Sequence, residues 1–209
     1  LRVDPCRRAH WSGDGSVIRG TSGSMELDDE GMGVPVFSAV LYAGLPGEML
    51  RRLKFKGEKH LASAAADLIL LHSRHLPGQG DTIVPVPAGR KRKRERGYNQ
   101  AALIARRLSK RTGAGVCLPL ARDDGPSQLG LSTRQRRKNV EGVFHLRRGR
   151  QVPGGSTIWL VDDVATTFST IHGAAMVLLE GGAGKVLGLT LAYRRKTADS
   201  IIRTGLSRN

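Results

Sequence analysis

Cysteine is almost absent from this chain. Cys6 and Cys117 are the only two thiols in 209 residues, so neither a disulfide framework nor a four-cysteine zinc site can be built. Aromatic residues make up 4%, which argues against a single-strand nucleic-acid binder built on base stacking. No apolar run approaches the length of a membrane span, and no leader-type apolar segment follows the N-terminus; a cytoplasmic location is expected. The chain opens on Leu1 instead of Met, which points to an incomplete or unusual start. No G-x-G-x-x-G occurs, so a dinucleotide fold has no support. The run Gly181-Gly182-Ala183-Gly184-Lys185 fails as a P-loop, because Leu179 stands where the first glycine belongs and Val186 replaces Ser or Thr. It reads as a helix end. His72 and His75 lie three apart, a spacing that could suit a metal, but no third ligand shares their face and they read as solvated histidines.

Acidic residues are also scarce. Lys and Arg number 34 against 18 Asp and Glu, giving a net charge of +16 and a pI near 11.0. Such a field attracts nucleic acid nonspecifically, and polyphosphorylated small molecules as well. The charge is concentrated: residues 90–111 hold ten Lys or Arg against Glu95, and 134–150 hold seven against Glu141. Any one of these arginines reads equally as a solvated face or as a ligand group.

Residues 1–35 are rich in Gly, Ser and charge without a sustained period, and are expected to be poorly ordered. Residues 36–196 form the expected domain and 197–209 a tail. Apolar spacing predicts a strand over Val36–Tyr42, helices over Leu45–Leu53 and Leu61–Leu76, and a strand over Thr82–Val86. A helix over Gly97–Arg111, a short strand over Val116–Leu120 and a long basic loop over Gly125–Gly142 follow. The chain then reads as a strand over Thr157–Val161, a helix over Ser169–Leu179 and a strand over Lys185–Ala192. Strands alternating with helices imply an α/β fold, a mostly parallel sheet with helices on both faces.

The most informative segment is Ile158–Thr170. Four apolar residues run into Asp162 and Asp163; Val164, Ala165, Thr166, Thr167, Phe168, Ser169 and Thr170 then lead into a helix. Paired Asp after a strand can simply cap a helix. Strand-to-helix turns in open α/β sheets also bind phosphorylated ligands, because the helix start presents unpaired N–H groups and positive charge. Carboxylates that accept from a sugar diol, beside hydroxyl donors for a phosphate, suit a ribose 5-phosphate. The pattern resembles the 5-phosphoribosyl-1-pyrophosphate (PRPP) loop of type I phosphoribosyltransferases, D-D-x-x-T-T-G-x-T. Phe168 stands where that pattern has glycine. It either crowds the 5-phosphate pocket or marks a loop rebuilt around it.

Three further segments agree. Val84-Pro85-Val86-Pro87 leads into Arg92, Arg96, Gly97, Tyr98, Asn99, Gln100 and Ala101. Gln128, Leu131 and Ser132 precede Arg136, Asn139, Val140 and Phe144, and Leu53, Lys54, Phe55 and Gly57 stand upstream. Together these resemble the ComF/GntX family of phosphoribosyltransferase-like proteins, one branch of which is associated with DNA uptake in natural competence. The resemblance covers about 40–195 and implies a type I phosphoribosyltransferase fold with a mobile hood loop. It implies PRPP or ribose 5-phosphate as ligand, Mg²⁺ carried with PRPP, and residues 162–170 as the PRPP loop. Arg92, Arg96 and Gln100 would meet pyrophosphate, Gln100 being open between that role and helix capping and Asn99 favouring the cap. Arg136, Arg137 and Lys138 would lie in the hood, with Arg136 and Lys138 as candidate catalytic groups. The family's four-cysteine zinc module has only Cys6 to represent it, so no zinc is expected. A non-catalytic competence protein that binds nucleic acid through its basic surface is the alternative.

Overall fold

The computed structural model describes residues 34–124, 142–166 and 168–194, with the backbone of three strands before them at 10–11, 16–21 and 24–29. Its main sheet has eight strands. In chain order they are β1 (His10–Trp11), β2 (Ser16–Thr21), β3 (Ser24–Asp29), β4 (Val36–Leu41), β5 (Thr82–Pro85), β6 (Gly115–Val116), β9 (Thr157–Ala165) and β10 (Lys185–Tyr193). Their spatial order is β1-β2-β3-β4-β10-β9-β5-β6. From β4 to β6 the neighbours are parallel, whereas β1 to β4 pair antiparallel. β7 (Leu120–Arg122) and β8 (Phe144–Leu146) form a separate antiparallel pair. The helices are α1 (Gly44–Phe55), α2 (Leu61–His72), α3 (Arg90–Arg96), α4 (Gln100–Thr112) and α5 (Ser169–Glu180). This is an α/β fold built on a mostly parallel sheet, with helices on both faces.

Two apolar layers hold the sheet. On one face Leu50, Leu53, Ile69, Ile104 and Leu108 pack with Phe37, Trp159, Val161, Leu189 and Leu191. On the other, Ile171, Ala174 and Leu178 of α5 pack with Val36, Val84, Ile158, Leu160 and Tyr193. Successive residues of β9 therefore enter opposite layers, which is why its sequence is continuously apolar instead of alternating. The Trp159 indole N–H donates to Asp81 Oδ2 at 3.0 Å, so its one polar atom is satisfied inside the layer.

Several elements differ from the sequence expectation. The stretch before residue 35 contributes β1 to β3 to the sheet edge, because β4 offers an open edge on which β3 pairs from Met25↔Ser38 to Leu27↔Val36. The alternation Met25-Glu26-Leu27-Asp28 is a period of two, too short to stand out among Gly and Ser. The helix expected over 97–111 is preceded by a second one, α3, and Gly97 between them adopts φ +74. Having no buried residue, α3 has no apolar period to read. Its start is fixed from a distance, since both Asp124 carboxylate oxygens accept from the Lys91 N–H at 3.1–3.2 Å. A Cβ on Gly89 would meet Asp124 Oδ1 at 2.5 Å, so glycine makes that approach possible. The expected 116–120 strand divides between β6 and β7, and α2 stops at His72 where Ser73 turns extended (ψ 131). His75 rests its ring 4.7 Å from that of Phe37. β9 continues four residues past its expected end, held by β10 through Asp162↔Thr190 and Ala165↔Tyr193. Of the expected loop over 125–142, all but Gly142 lies outside the described residues, as does the tail.

Gly188 on β10 faces Val36 and Ile171, where an added Cβ would lie 2.9 Å from Val36 Cγ2 and 3.1 Å from Ile171 Cγ2. Gly188→Ala should overpack this layer and lower stability by about 1–3 kcal/mol, read as a reduced denaturation midpoint with an unchanged m-value.

Candidate functional site

β5 ends beside the middle of β9, at Pro85↔Val161, and Val86 N–H donates to Val161 O at 2.8 Å just beyond the β5 end. A cavity of about 350 Å³ opens there. Its lining brings together Asp162, Asp163, Val164, Thr166 and Thr170 with Arg92, Arg96 and Gln100, all expected from sequence. Ala165, Phe168 and Ser169 lie in the same segment but are buried and do not line it. Thr167, Arg136, Arg137 and Lys138 fall outside the described residues.

The carboxylate pair is the electrostatic centre. Asp163 is buried, and its Oδ2 lies 3.0 Å from Lys54 Nζ. Asp162 Oδ1 accepts the Asp163 backbone N–H at 2.8 Å. Burial pushes the Asp162 carboxyl up to about 7; the Asp163 charge adds to this, while that backbone hydrogen bond, Lys54 and Arg122 oppose it. Asp162 sits opposite Thr190 within the sheet and is half-buried, lining the cavity.

Opposite the acids stands a cationic wall. Arg96 lies 5.0 Å from the Phe55 ring centroid and donates to Gln100 Oε1 at 3.4 Å. Gln100 is buried, and its Nε2 has no hydrogen-bond partner among the described residues. An unpaired buried amide donor on a cavity wall is one that a ligand oxygen can satisfy. Asn99 Oδ1 accepts the Ala101 N–H at 3.2 Å and its Nδ2 donates to Val86 O at 2.9 Å, the capping role expected for it. α5 begins at the cavity with no side-chain cap, leaving its positive end for an anion.

Sequence reasoning gave no site role to Tyr42, Lys54, Phe55, Arg122 or Arg194, which also line the cavity. Lys54 and Phe55 stand in the L-K-F-x-G segment that was legible as a motif. Arg122 arrives from β7 and is held 5.2 Å from the Phe144 ring; Arg194 follows β10 and stacks 4.8 Å from that of Tyr42. No local pattern marks either. Burial lowers the Arg122 pKa from its ordinary value, and the Arg92 charge adds to this, while Asp162 and Asp124 oppose it.

Phe168 resolves in favour of a rebuilt loop. Its ring is 7% exposed and stacks on Tyr193 with centroids 5.8 Å apart and planes 12° apart. Its backbone is right-handed (φ −62, ψ −3), so the position does not need the positive φ that favours glycine.

Comparison with known proteins adds context to this geometry. Competence protein ComFC of Bacillus subtilis is 33% identical over 156 residues, 74% of this chain and 62% of its own length. DNA utilization protein YhgH of Escherichia coli is 34% identical over 162 residues, 69% of this chain and 66% of its own. Competence protein F of Haemophilus influenzae is 29% identical over 148 residues, 66% and 63% of the two chains. The chain thus spans slightly less than two thirds of the length of these relatives. No family model matches it. Among solved structures, adenine phosphoribosyltransferase from Leishmania tarentolae aligns at TM-score 0.45 and 12% identity, covering 86% of this chain and 87% of its own. A Staphylococcus aureus hypoxanthine phosphoribosyltransferase aligns at TM-score 0.38 and 14% identity, covering 73% and 68%.

Removing the Phe168 ring leaves a cavity in a packed layer, so Phe168→Gly should cost about 3–5 kcal/mol of stability. A lowered thermal midpoint is the expected result, measured by scanning calorimetry.

Proposed function

Given that the chain belongs to the ComF family, we propose that its cavity binds a phosphorylated ribose, either PRPP or ribose 5-phosphate. The observation that carries this reading is the meeting of Asp162 and Asp163 with Thr166, Thr170, Lys54 and four arginines around one cavity of about 350 Å³. The carboxyl groups accept from ribose hydroxyls, and the start of α5 receives the 5-phosphate. Arg92, Arg96 and the Gln100 amide receive the pyrophosphate. Where the phosphoribosyl group is transferred, the bond from C1 to the pyrophosphate oxygen breaks, its electron pair leaves with pyrophosphate, and a lone pair of the acceptor forms the new bond to C1. Positioned cations stabilise the charge that develops there.

Mg²⁺ enters this reading as an ion brought by PRPP. The carboxylate pair does not fit as its protein ligand set, because Asp163 already faces Lys54 and Asp162 Oδ1 already accepts a backbone N–H. No group of three metal-ligating side chains occurs among the described residues.

Ribose binding through the acids has a pH signature. Ionised Asp162 accepts hydroxyl protons more strongly than the neutral acid, so affinity should rise as pH rises through about 7. Asp162→Asn and Asp163→Asn should each weaken PRPP binding by about 1–3 kcal/mol. The Asp162 variant should also lose the rise, apart from the part that belongs to the ligand phosphate. Calorimetric titration of the two variants and wild type across that range checks both expectations; unchanged affinity in both variants removes the ribose assignment.

A second reading is supported by α3, whose seven residues include no buried one and a single acid, Glu95. Two of the relatives carry competence in their names and a third DNA utilization. Here the basic surface binds nucleic-acid phosphates. Neutralising Arg92, Lys93 and Arg94 together should then reduce the slope of log K against log salt for DNA by about 2–3 units. A salt-independent affinity, measured by fluorescence anisotropy, would rule this reading out.

A further inference from the structure

Lys54 and Asp163 form an ion pair within the lining of the cavity, and its surroundings separate it from an ordinary surface pair. The side chains are 20% and 11% exposed and lie 3.0 Å apart, so solvent and salt screen them little. The neighbouring residue is anchored twice. Leu53 is wholly buried in the layer under α1, and its carbonyl accepts the Tyr98 hydroxyl. The stem of Lys54 therefore starts from a fixed backbone, and its ammonium is delivered to the carboxylate before any ligand arrives.

We infer that Lys54 is the resident cation of the carboxylate pair and that the cavity takes a ribose phosphate without needing a divalent metal at the protein carboxylates. This rests on the ribose-phosphate reading above. An ammonium has three donor hydrogens. One faces Asp163, and no other described residue accepts from Lys54, which leaves donors for the oxygens of a ligand. Lys54 thus bridges carboxylate and ligand oxygen, the arrangement a bound metal would otherwise supply. The charge of the lining points the same way. Among the described lining residues, Lys54, Arg92, Arg96, Arg122 and Arg194 stand with Asp162 and Asp163 as the only acids, an excess of positive charge suited to an anionic sugar. A divalent ion placed on Asp163 would have to displace the ammonium or lie against it.

The test uses the full chain and ribose 5-phosphate, which has no pyrophosphate to bring a metal of its own. Its affinity is measured by calorimetry with excess EDTA and with excess Mg²⁺, for wild type, Lys54→Met and Lys54→Arg. Wild type should bind equally well in both buffers. Lys54→Met should lose about tenfold or more in EDTA, as expected when one member of a desolvated charge pair is removed, and should regain part of it with Mg²⁺. Lys54→Arg should keep metal-independent binding. A purely structural role for Lys54 would lower the thermal midpoint without creating a metal requirement. Wild-type binding that requires Mg²⁺, or Lys54→Met binding as wild type does in EDTA, overturns the inference and leaves the ribose-phosphate reading standing. Should Lys54→Met fail to fold, the wild-type pair of titrations decides alone. Absence of wild-type binding in either buffer brings down the ribose-phosphate reading itself, and this inference with it.

Discussion

β9 lies between β10 and β5 with helices over both of its faces, so each residue it contributes must be apolar or compensated by a partner. Five of the first eight, from Thr157 through Val164, meet the first condition; the exceptions are the end residue Thr157 and the acid pair. Asp162 and Asp163 cannot. Their compensating groups are Lys54 from the end of α1 and Arg122 from β7, both off the strand, and on it the Asp163 N–H, which donates to Asp162. The cavity is the space in which these compensating groups converge. Removing one partner alone would leave a buried charge unbalanced, a far larger penalty than losing a surface ion pair.

The same strand pairing explains the departure at Phe168. Ala165 pairs with Tyr193 at the last register position of β9 and β10. Tyr193, 1% exposed, closes the layer at that end and offers its face to the next aromatic ring in the chain. A phenylalanine at the helix entry adds apolar area to a corner that glycine would leave open. With φ at −62 the backbone has no need of a residue lacking a side chain. The loop keeps its hydroxyls Thr166 and Thr170 on the cavity side while the ring turns inward.

What could be read from sequence follows the range of the interactions involved. The apolar run of β9, the acid pair and the helix behind it are local, and all three stand in one short segment. The parallel sheet was legible because strands and helical faces alternate at regular spacing. α3 was not, since it buries nothing and its cap, Asp124, comes from 33 residues away. Nor could Arg122 and Arg194 be read, because what makes them cavity residues is the arrival of β7 and the end of β10 beside β9. Lys54 was visible as part of a motif, yet its role required knowing that α1 ends opposite Asp163.

The claim on which the account turns is that a phosphorylated ribose occupies the space between the acid pair and the start of α5. The most direct measurement is a crystal structure of the full chain with ribose 5-phosphate. The account predicts the sugar hydroxyls within hydrogen-bond distance of Asp162 or Asp163, the phosphate at the first turn of α5, and the Lys54 ammonium still beside Asp163. A ligand bound only on the outer face of α3, or a cavity left empty at saturating ligand, would contradict it.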